Sequence, residues 1–506
     1  MTRPTKLQNV NTTDIADAIR LGCRTMCQVF NAGDQEIPFF QSEVRPNARL
    51  GFSRAHSEAH VPGRHLNALL TAEDALGLKI DESVIEKHAR AAFFSYSGPL
   101  PLPLNRQEVS GPLVNFLPHN IREGFHALCA LTKYRKSTRA RGLAEASIAA
   151  IPKLWDPERG WDITHIEQKL GLKYLGGTFI TELARAIGPL VKFYRATQHQ
   201  PALDLAIVLK DHALDFFPAD GSYDSRLQGT HAHSTTCTLS SLAQLADLTR
   251  DAALMARVKA FYENGLWQIR DALGWSIENS APDCPYPDRG EANNTGDIVE
   301  TALLLGAWGH VECYHDAERI LRAHLLPSQL RDVSFIQEQR NPAGDDGLRD
   351  VANRHLGAWG FPAPYGHAPV EAPNISFNMD IVGGVVGSLC EAYRVAVRFD
   401  ERGHWVNLLF DHETDAICVE SLYTHGRLEV TVKRAAPLHI RATAKSGYTV
   451  IPDPPVNQPS TFEFPLPTEE LSLVHRTRTI RCRLRGHEVV AMENFGADLT
   501  YFDPWV

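Results

Sequence analysis

No run of the roughly 18 apolar residues needed to span a bilayer occurs in this chain of 506 residues. Its amino terminus, MTRPTKLQNVNTTDIADAIR, lacks the lysine-flanked apolar core of a secretory leader. These absences predict a soluble, uncleaved, cytoplasmic protein with no membrane partner. Positive charge is also short: 51 Lys and Arg stand against 60 Asp and Glu, for a net charge of −9. That balance argues against a phosphate-tracking surface and excludes nucleic acid as the expected partner. The nine cysteines are odd in number and scattered through apolar patterns, where a thiol packs as a small hydrophobe, as expected of a reducing compartment. Cys23 and Cys27 share helical i, i+4 spacing, but no second pair or His cluster lies near them in sequence, so they read as core residues rather than metal ligands. No GxGxxG follows a strand, and the P-loop, the GxSxG elbow and HExxH are all missing, which removes nucleotide, serine-hydrolase and zincin chemistry.

The length exceeds one ordinary domain, and the 43 % hydrophobic and 22 % charged composition is that of a chain folded throughout. Apolar residues recur at spacings of three and four in twelve segments: 13–30, 63–77, 82–94, 119–135, 137–153, 178–198, 200–216, 235–249, 251–272, 295–309, 313–327 and 380–398. Asp251 reads as a helix start, as does Thr295 ahead of Asp297 and Glu300, whose charges suit a first turn. From about residue 404 the period changes to strand alternation, in HWVNLLF, AICVESLY, RLEVTVKR, LHIRATA, YTVIP, STFEFPL, TIRCRLRG and HEVVAMEN. Helices followed by strands, without βαβ alternation, predict an all-helical toroid joined to a small antiparallel β-sandwich. An open α-solenoid is the weaker alternative, since no fixed repeat is visible.

Three connections, 217–234, 274–294 and 328–379, are long and rich in Gly, Pro, Asn and His, as binding loops are. The first carries His231 and His233, whose directed ring nitrogens suit sugar hydroxyls, a carboxylate or, with further ligands, a metal. The second crowds Glu278, Asp283, Asp288, Glu291, Asp297 and Glu300 among Trp275, Tyr286, Asn293 and Asn294. Acetal cleavage needs one carboxyl kept protonated and another kept ionised, and aromatic neighbours desolvate the acid and stack on sugar rings. By default, such a loop is merely solvated, with Asp297 and Glu300 as helix-start charges. The third supplies Arg354, His355, Trp359, Tyr365, His367, Asn374, Asn378 and Asp380, the last opening a glycine-rich helix either as an N-cap or as a functional carboxylate. A fourth group interleaves Arg54, His56, Glu58, His60 and Arg64, as in an anion site or a salt-bridged cap.

The succession from His60-Val-Pro-Gly-Arg64 through GTHAHSTTCTLSSLAQLADLTRD, GW-x-x-E with Glu278, GEANNTGDIVETALLLGAWGHVECYHDAERILRAHLLPSQ and HWVNLLF resembles the glycoside hydrolases related to the family 127 β-L-arabinofuranosidases and the family 154 β-glucuronidases, over nearly the whole chain. GRLEVTVKRAAPLHIRATAKSG is similar to their sandwich segment. The resemblance implies an (α/α)6 barrel over 1–400 and a β-sandwich over 401–506. In family 127 a Glu-x-Cys and a later Cys-Cys hold zinc, and one cysteine is the nucleophile. The matching positions, Glu291-Ala292-Asn293 and Met379-Asp380-Ile381, keep no cysteine. His231 or His233 matches a substrate-binding His, and Glu278 falls near the general acid.

The resulting expectation is an exo-acting glycosidase that removes a terminal uronic acid or plant-type sugar from an oligosaccharide. Glu278 or Glu291 would be the general acid and Asp380 the opposing carboxylate. His60, Arg64, His231, His233, Trp275, Asn293, Arg354, Trp359 and His367 would bind substrate. No cofactor is assigned, although the acidic 283–297 loop leaves room for a hard cation such as calcium, and a homodimer is left open. Two alternatives stand beside it: a uronate-specific lyase with a His or Tyr base, and a non-catalytic carbohydrate-binding protein.

Overall fold

The computed structural model describes residues 5–441 and 447–505. All twelve periodic segments are helices: α1 (Ile15–Met26), α2 (Val61–Leu76), α3 (Glu82–Ser95), α4 (Ile121–Arg135), α5 (Thr138–Leu154), α6 (Ile187–Thr197), α7 (Gln200–Ala213), α8 (Ala232–Thr249), α9 (Ala252–Glu263), α10 (Ala292–Ala307), α11 (Glu312–Ile320) and α12 (Met379–Ala396). Helices α2, α4, α6, α8, α10 and α12 pack in that order, and α12 closes on α2. Outside this ring α3, α5, α7, α9, α11 and α1 lie on α2, α4, α6, α8, α10 and α12 respectively. The architecture is a closed (α/α)6 barrel, and ring closure rules out the open solenoid. None of the described helices is long and apolar enough to cross a membrane.

Side-chain capping is confined to the outer layer, where four of the six helices have it. Asp14, Asp81, Ser137 and Asp251 cap the outer helices α1, α3, α5 and α9 through their side chains. The residues preceding the six inner helices, His60, Asn120, Ala186, His231, Glu291 and Asn378, make no such bond. Backbone carbonyls take the first N–H groups of three of these helices instead, Ala232 donating to Glu278, Ala292 to Gly360 and Met379 to Phe40, so most of these side chains are left for other work. The expected start of α10 at Thr295 is corrected to Ala292. Thr295 lies inside the helix and donates its hydroxyl to the Gly274 carbonyl, 2.8 Å. Likewise the segment predicted from 178 becomes helical only at Ile187, after a 3-10 turn at Ala184–Ala186.

Short strand pairs decorate the barrel loops, and the strand-rich region begins at Val397. One sheet orders 397–400, 403–406, 438–441 and 448–451, and a second orders 412–413, 417–420, 428–432 and 459–462. Between them lies a private core that includes Val406, Ile417, Val430, Leu438 and Ile440. Pairing is antiparallel except between 404–406 and 438–440, because the intervening chain crosses to the facing sheet and back. Residues 442–446, at the end of the LHIRATA segment and of the sandwich segment it belongs to, lie outside the described residues. The last strands, 468–474, 479–485, 488–492 and 503–504, form a third sheet whose Leu473, Ile480, Cys482 and Leu484 join the helical core rather than the sandwich core.

A buried ion network ties barrel to sandwich. Glu318 pairs with Arg322 at 3.1 Å and with Arg441 of the sandwich, and accepts from the Leu409 N–H at 3.0 Å. The Arg322 guanidinium lies 3.8 Å over both the Phe410 and Tyr423 rings. Burial raises the Glu318 carboxyl, but the two guanidinium charges outweigh it and hold it down at about 2.

Candidate active site

The inner-helix N-termini meet at one end of the barrel, and each contributes polar side chains there. His60 precedes α2 and Arg64 lies in its first turns; Asn120 and Glu123 belong to α4, Arg185 precedes α6, His231 and His233 open α8, Glu291 and Asn293 open α10, and Asp380 opens α12. Glycines at 383 and 384 let Arg64 and Asn293 lie against α12. A Cβ on Gly384 would sit 2.0 Å from Asn293 Oδ1 and 2.7 Å from Arg64 Nη1. This close approach is the role of the glycine-rich stretch.

Asp380 is ligated on two sides, by His60 Nε2 at 3.1 Å and Arg64 Nε at 3.6 Å. The Asn120 amide donates to the Ala55 carbonyl at 2.6 Å, which turns its Oδ1 to His60 Nδ1 at 2.9 Å. Both ring nitrogens of His60 therefore face acceptors. Burial opposes ionisation of Asp380, but the His60 hydrogen bond and the Arg64 charge prevail and hold it below the usual carboxylate range. Beneath this pair, the fully buried Glu123 receives Arg185 at 2.9 Å, Arg122 at 3.0 Å and Arg64 at 3.3 Å through one oxygen. Arg64 Nη1, buried, completes no hydrogen bond among the described residues.

Glu291 lies in the opposite electrostatic setting. Its neighbours are neutral: Asn293 Nδ2 at 2.9 Å, His233 Nδ1 at 3.8 Å and His231 Nε2 at 3.8 Å. Burial first, and then the negative charge of Glu278, push its carboxyl up to about 8. Burial also pushes His231 down to about 4 and His233 well below its ordinary value, so both imidazoles are neutral at pH 7. Glu278 is engaged by Arg289 Nε at 2.6 Å, and that guanidinium rests 4.1 Å over the Phe361 ring. The floor descends along the barrel axis to Asp297, which is 3.4 Å from His233 Nε2 and accepts from the Thr236 hydroxyl at 3.0 Å; burial raises it to about 7. Asp297 and Glu300 thus line an axial cavity with Arg64 and His233 instead of serving as helix-start charges.

Of the twelve residues expected in the site, His60, Arg64, His231, His233, Glu278, Glu291, Asn293 and Asp380 lie in or beside this cluster. Four expectations are corrected. Trp275 donates its indole N–H to the Pro362 carbonyl at 2.9 Å and packs on His475. Trp359, wholly buried, donates to the Leu325 carbonyl at 2.8 Å. Arg354 is consumed by the carbonyls of Gln28, Phe30 and Asp346 at 2.6–2.9 Å. His367 bonds the Tyr501 hydroxyl at 3.1 Å. The two indoles and the Arg354 guanidinium face backbone carbonyls and His367 Nδ1 faces a buried tyrosine hydroxyl, all away from the cluster. His119, Asn120, Arg122, Glu123 and Arg185 are not among the expected site residues, although polar and charged residues inside the apolar runs of 119–135 and 178–198 are their signal.

The turn between the strands 468–474 and 479–485 clamps the segment that bears Glu278. His475 is 3.2 Å from Asp271, Arg476 donates to the Ser280 carbonyl at 2.6 Å, and Arg478 pairs with Asp288 at 3.1 Å.

The zinc-thiolate centre of family 127 does not fit these residues. His231, His233 and Glu291 surround a point with no thiol. The thiol that does reach the cluster, Cys237 beside His233 and Asp297, is buried and raised by that burial above its ordinary value.

No family model and no curated protein matches the sequence. Solved structures do resemble the fold. A family 127 β-arabinofuranosidase superposes with a TM-score of 0.57 at 12 % identity, covering 96 % of this chain and 84 % of that one. A family 127 β-L-arabinofuranosidase from Geobacillus stearothermophilus gives 0.53 at 13 % identity, covering 94 % and 80 %. An unsaturated glucuronyl hydrolase specific for heparin gives 0.47 at 12 % identity over 74 % of this chain and 95 % of that one. The likeness to the family 127 enzymes shows the fold: this chain is an (α/α)6 barrel followed by a strand-rich C-terminal region, the architecture of those glycoside hydrolases.

Proposed function

We propose that the protein is a glycoside hydrolase acting on a terminal sugar of an oligosaccharide, with Glu291 as general acid and Asp380 as the opposing carboxylate. One observation carries the reading: two buried carboxyls at the ends of neighbouring inner helices are held in opposite protonation states at neutral pH. The protonated Glu291 can deliver a proton to a glycosidic oxygen as the bond to the leaving group breaks. The ionised Asp380, steadied by His60 and Arg64, either activates water or attacks the anomeric carbon. Neutral His231 and His233 and the Asn293 amide offer directed hydrogen bonds to sugar hydroxyls. The unpartnered Arg64 Nη1 is the group that would favour a substrate carboxylate, hence a uronic acid at the terminal position.

Incubation with uronic-acid-capped and arabinose-capped oligosaccharides, read by mass and by ultraviolet absorbance, tests this. A product gaining the mass of water, absent with Asp380→Asn and Glu291→Gln, supports hydrolysis. An unsaturated product without added water would make the enzyme a lyase, with a neutral histidine as base. Binding without turnover would leave a carbohydrate-binding protein.

A further inference from the structure

The opposite end of the barrel holds a second cavity of about 780 Å³, between the inner-helix C-termini and the β-sandwich, within the size range of small-molecule sites. Its lining includes the apolar Ala130, Leu303, Leu304 and Ala307 beside the polar Asn67, Gln244 and Glu300, the last three shared with the axial cavity. Its walls carry the rings of Tyr134, Tyr314, Trp405 and Tyr448. Seven basic and four acidic side chains line it, so the cavity is cationic on a chain whose net charge is −9.

Basic residues are expected at helix C-termini, where they complement the dipole, and several here do that or pair locally. Arg195 and Arg250 share Asp247, Arg402 pairs with Asp400, and Arg394 pairs with Asp74 and Glu391. Lys133, Lys192 and Arg398 do not follow the pattern. Among the described residues none has a carboxylate within ion-pair distance or donates to a backbone carbonyl. Lys133 reaches only the Tyr134 hydroxyl, at 3.0 Å, and Arg398 the Tyr314 hydroxyl. Three cations without an ion-pair partner among the described residues thus line a concavity that also presents apolar side chains and four rings.

We infer that this cavity is a second binding site, for an organic carboxylate borne on a ring: the apolar and aromatic side chains of the lining take a ring face, and Lys133, Lys192 and Arg398 take the carboxylate. Either a sugar acid or an aromatic acid has this chemistry. Lys192 also lines the axial cavity, but Lys133 and Arg398 do not and none of the three pairs with Glu291 or Asp380, so the inference does not rest on the catalytic reading.

Calorimetric titration of the full chain with glucuronate, benzoate, glucose and inorganic phosphate tests the inference at low ionic strength. At least one of the two carboxylates should bind more tightly than glucose and phosphate, and which of them is tighter identifies the source. Arg398→Glu and Lys133→Glu, both at exposed side chains, should each weaken that binding about tenfold or more, while Asp380→Asn leaves it unchanged. Affinity unaltered by both charge reversals, affinity lost in Asp380→Asn, phosphate binding as tightly as the carboxylates, or no binding of either carboxylate would overturn it.

Discussion

Glu291, at the start of α10, and Asp380, in the first turn of the neighbouring α12, are both buried carboxyls, yet one is pushed up to about 8 and the other held below its ordinary value. The difference lies in their partners. Asp380 faces His60 and Arg64, whereas Glu291 faces neutral groups and feels the charge of Glu278.

The first prediction concerns the pH profile. Turnover requires Glu291 protonated, so the rate should fall as pH rises through about 8. Glu278→Gln removes the charge that raises Glu291, and should move this alkaline limb to lower pH. Glu291→Gln should cost about 10²–10⁴ in kcat. An alkaline limb that stays in place in Glu278→Gln would refute the coupling.

Stability should move the other way. A carboxyl whose folded value is raised disfavours folding once the unfolded chain ionises, from about 4.5 upward, and the penalty is complete above about 8. Glu291→Gln should therefore stabilise the protein at pH 8, by on the order of 4 kcal/mol, and have little effect at pH 4. Thermal denaturation at the two pH values checks this.

His60 should act through Asp380. His60→Ala removes the hydrogen bond that holds Asp380 ionised, and the acid limb of the rate profile should shift to higher pH. His60→Gln, which retains a donor, should restore part of the shift, whereas a purely structural role would lower the rate without moving the limb.

At the barrel–sandwich joint, Glu318→Gln would leave two buried guanidinium groups without their charge partner and should cost about 3–5 kcal/mol. Because the folded value of Glu318 is depressed, its contribution is full above about 4.5 and is lost as pH falls toward about 2. Denaturant titration of wild type and variant from pH 7 down to pH 3 should show the two curves converging.

Arg354→Ala and Trp359→Phe should lower the thermal midpoint with kcat retained, since their polar groups satisfy buried carbonyls away from the cluster. A selective loss of kcat at full stability would return either residue to the site.

Period and chemistry along the chain determined which segments become helices, because each barrel helix must bury a face and therefore carries the three-and-four spacing that a sequence displays. The change to alternation near residue 404 likewise marked the strands. Sequence also supplied His60, Arg64, Glu291 and Asp380, since charged and imidazole side chains beside helix starts are conspicuous. Only the tertiary structure decided which polar residues face the axis. Arg354, Trp359 and His367 share a loop with Asp380 and have the same chemistry, but the fold turns them onto backbone carbonyls and a buried tyrosine. Glu123 and Arg185 lie within apolar runs that look like plain core, and ring closure brings them from α4 and the turn before α6 to one point. The protonation of Glu291 is of the same kind, because it depends on burial and on the distance to Glu278, neither of which exists before the six inner helices close.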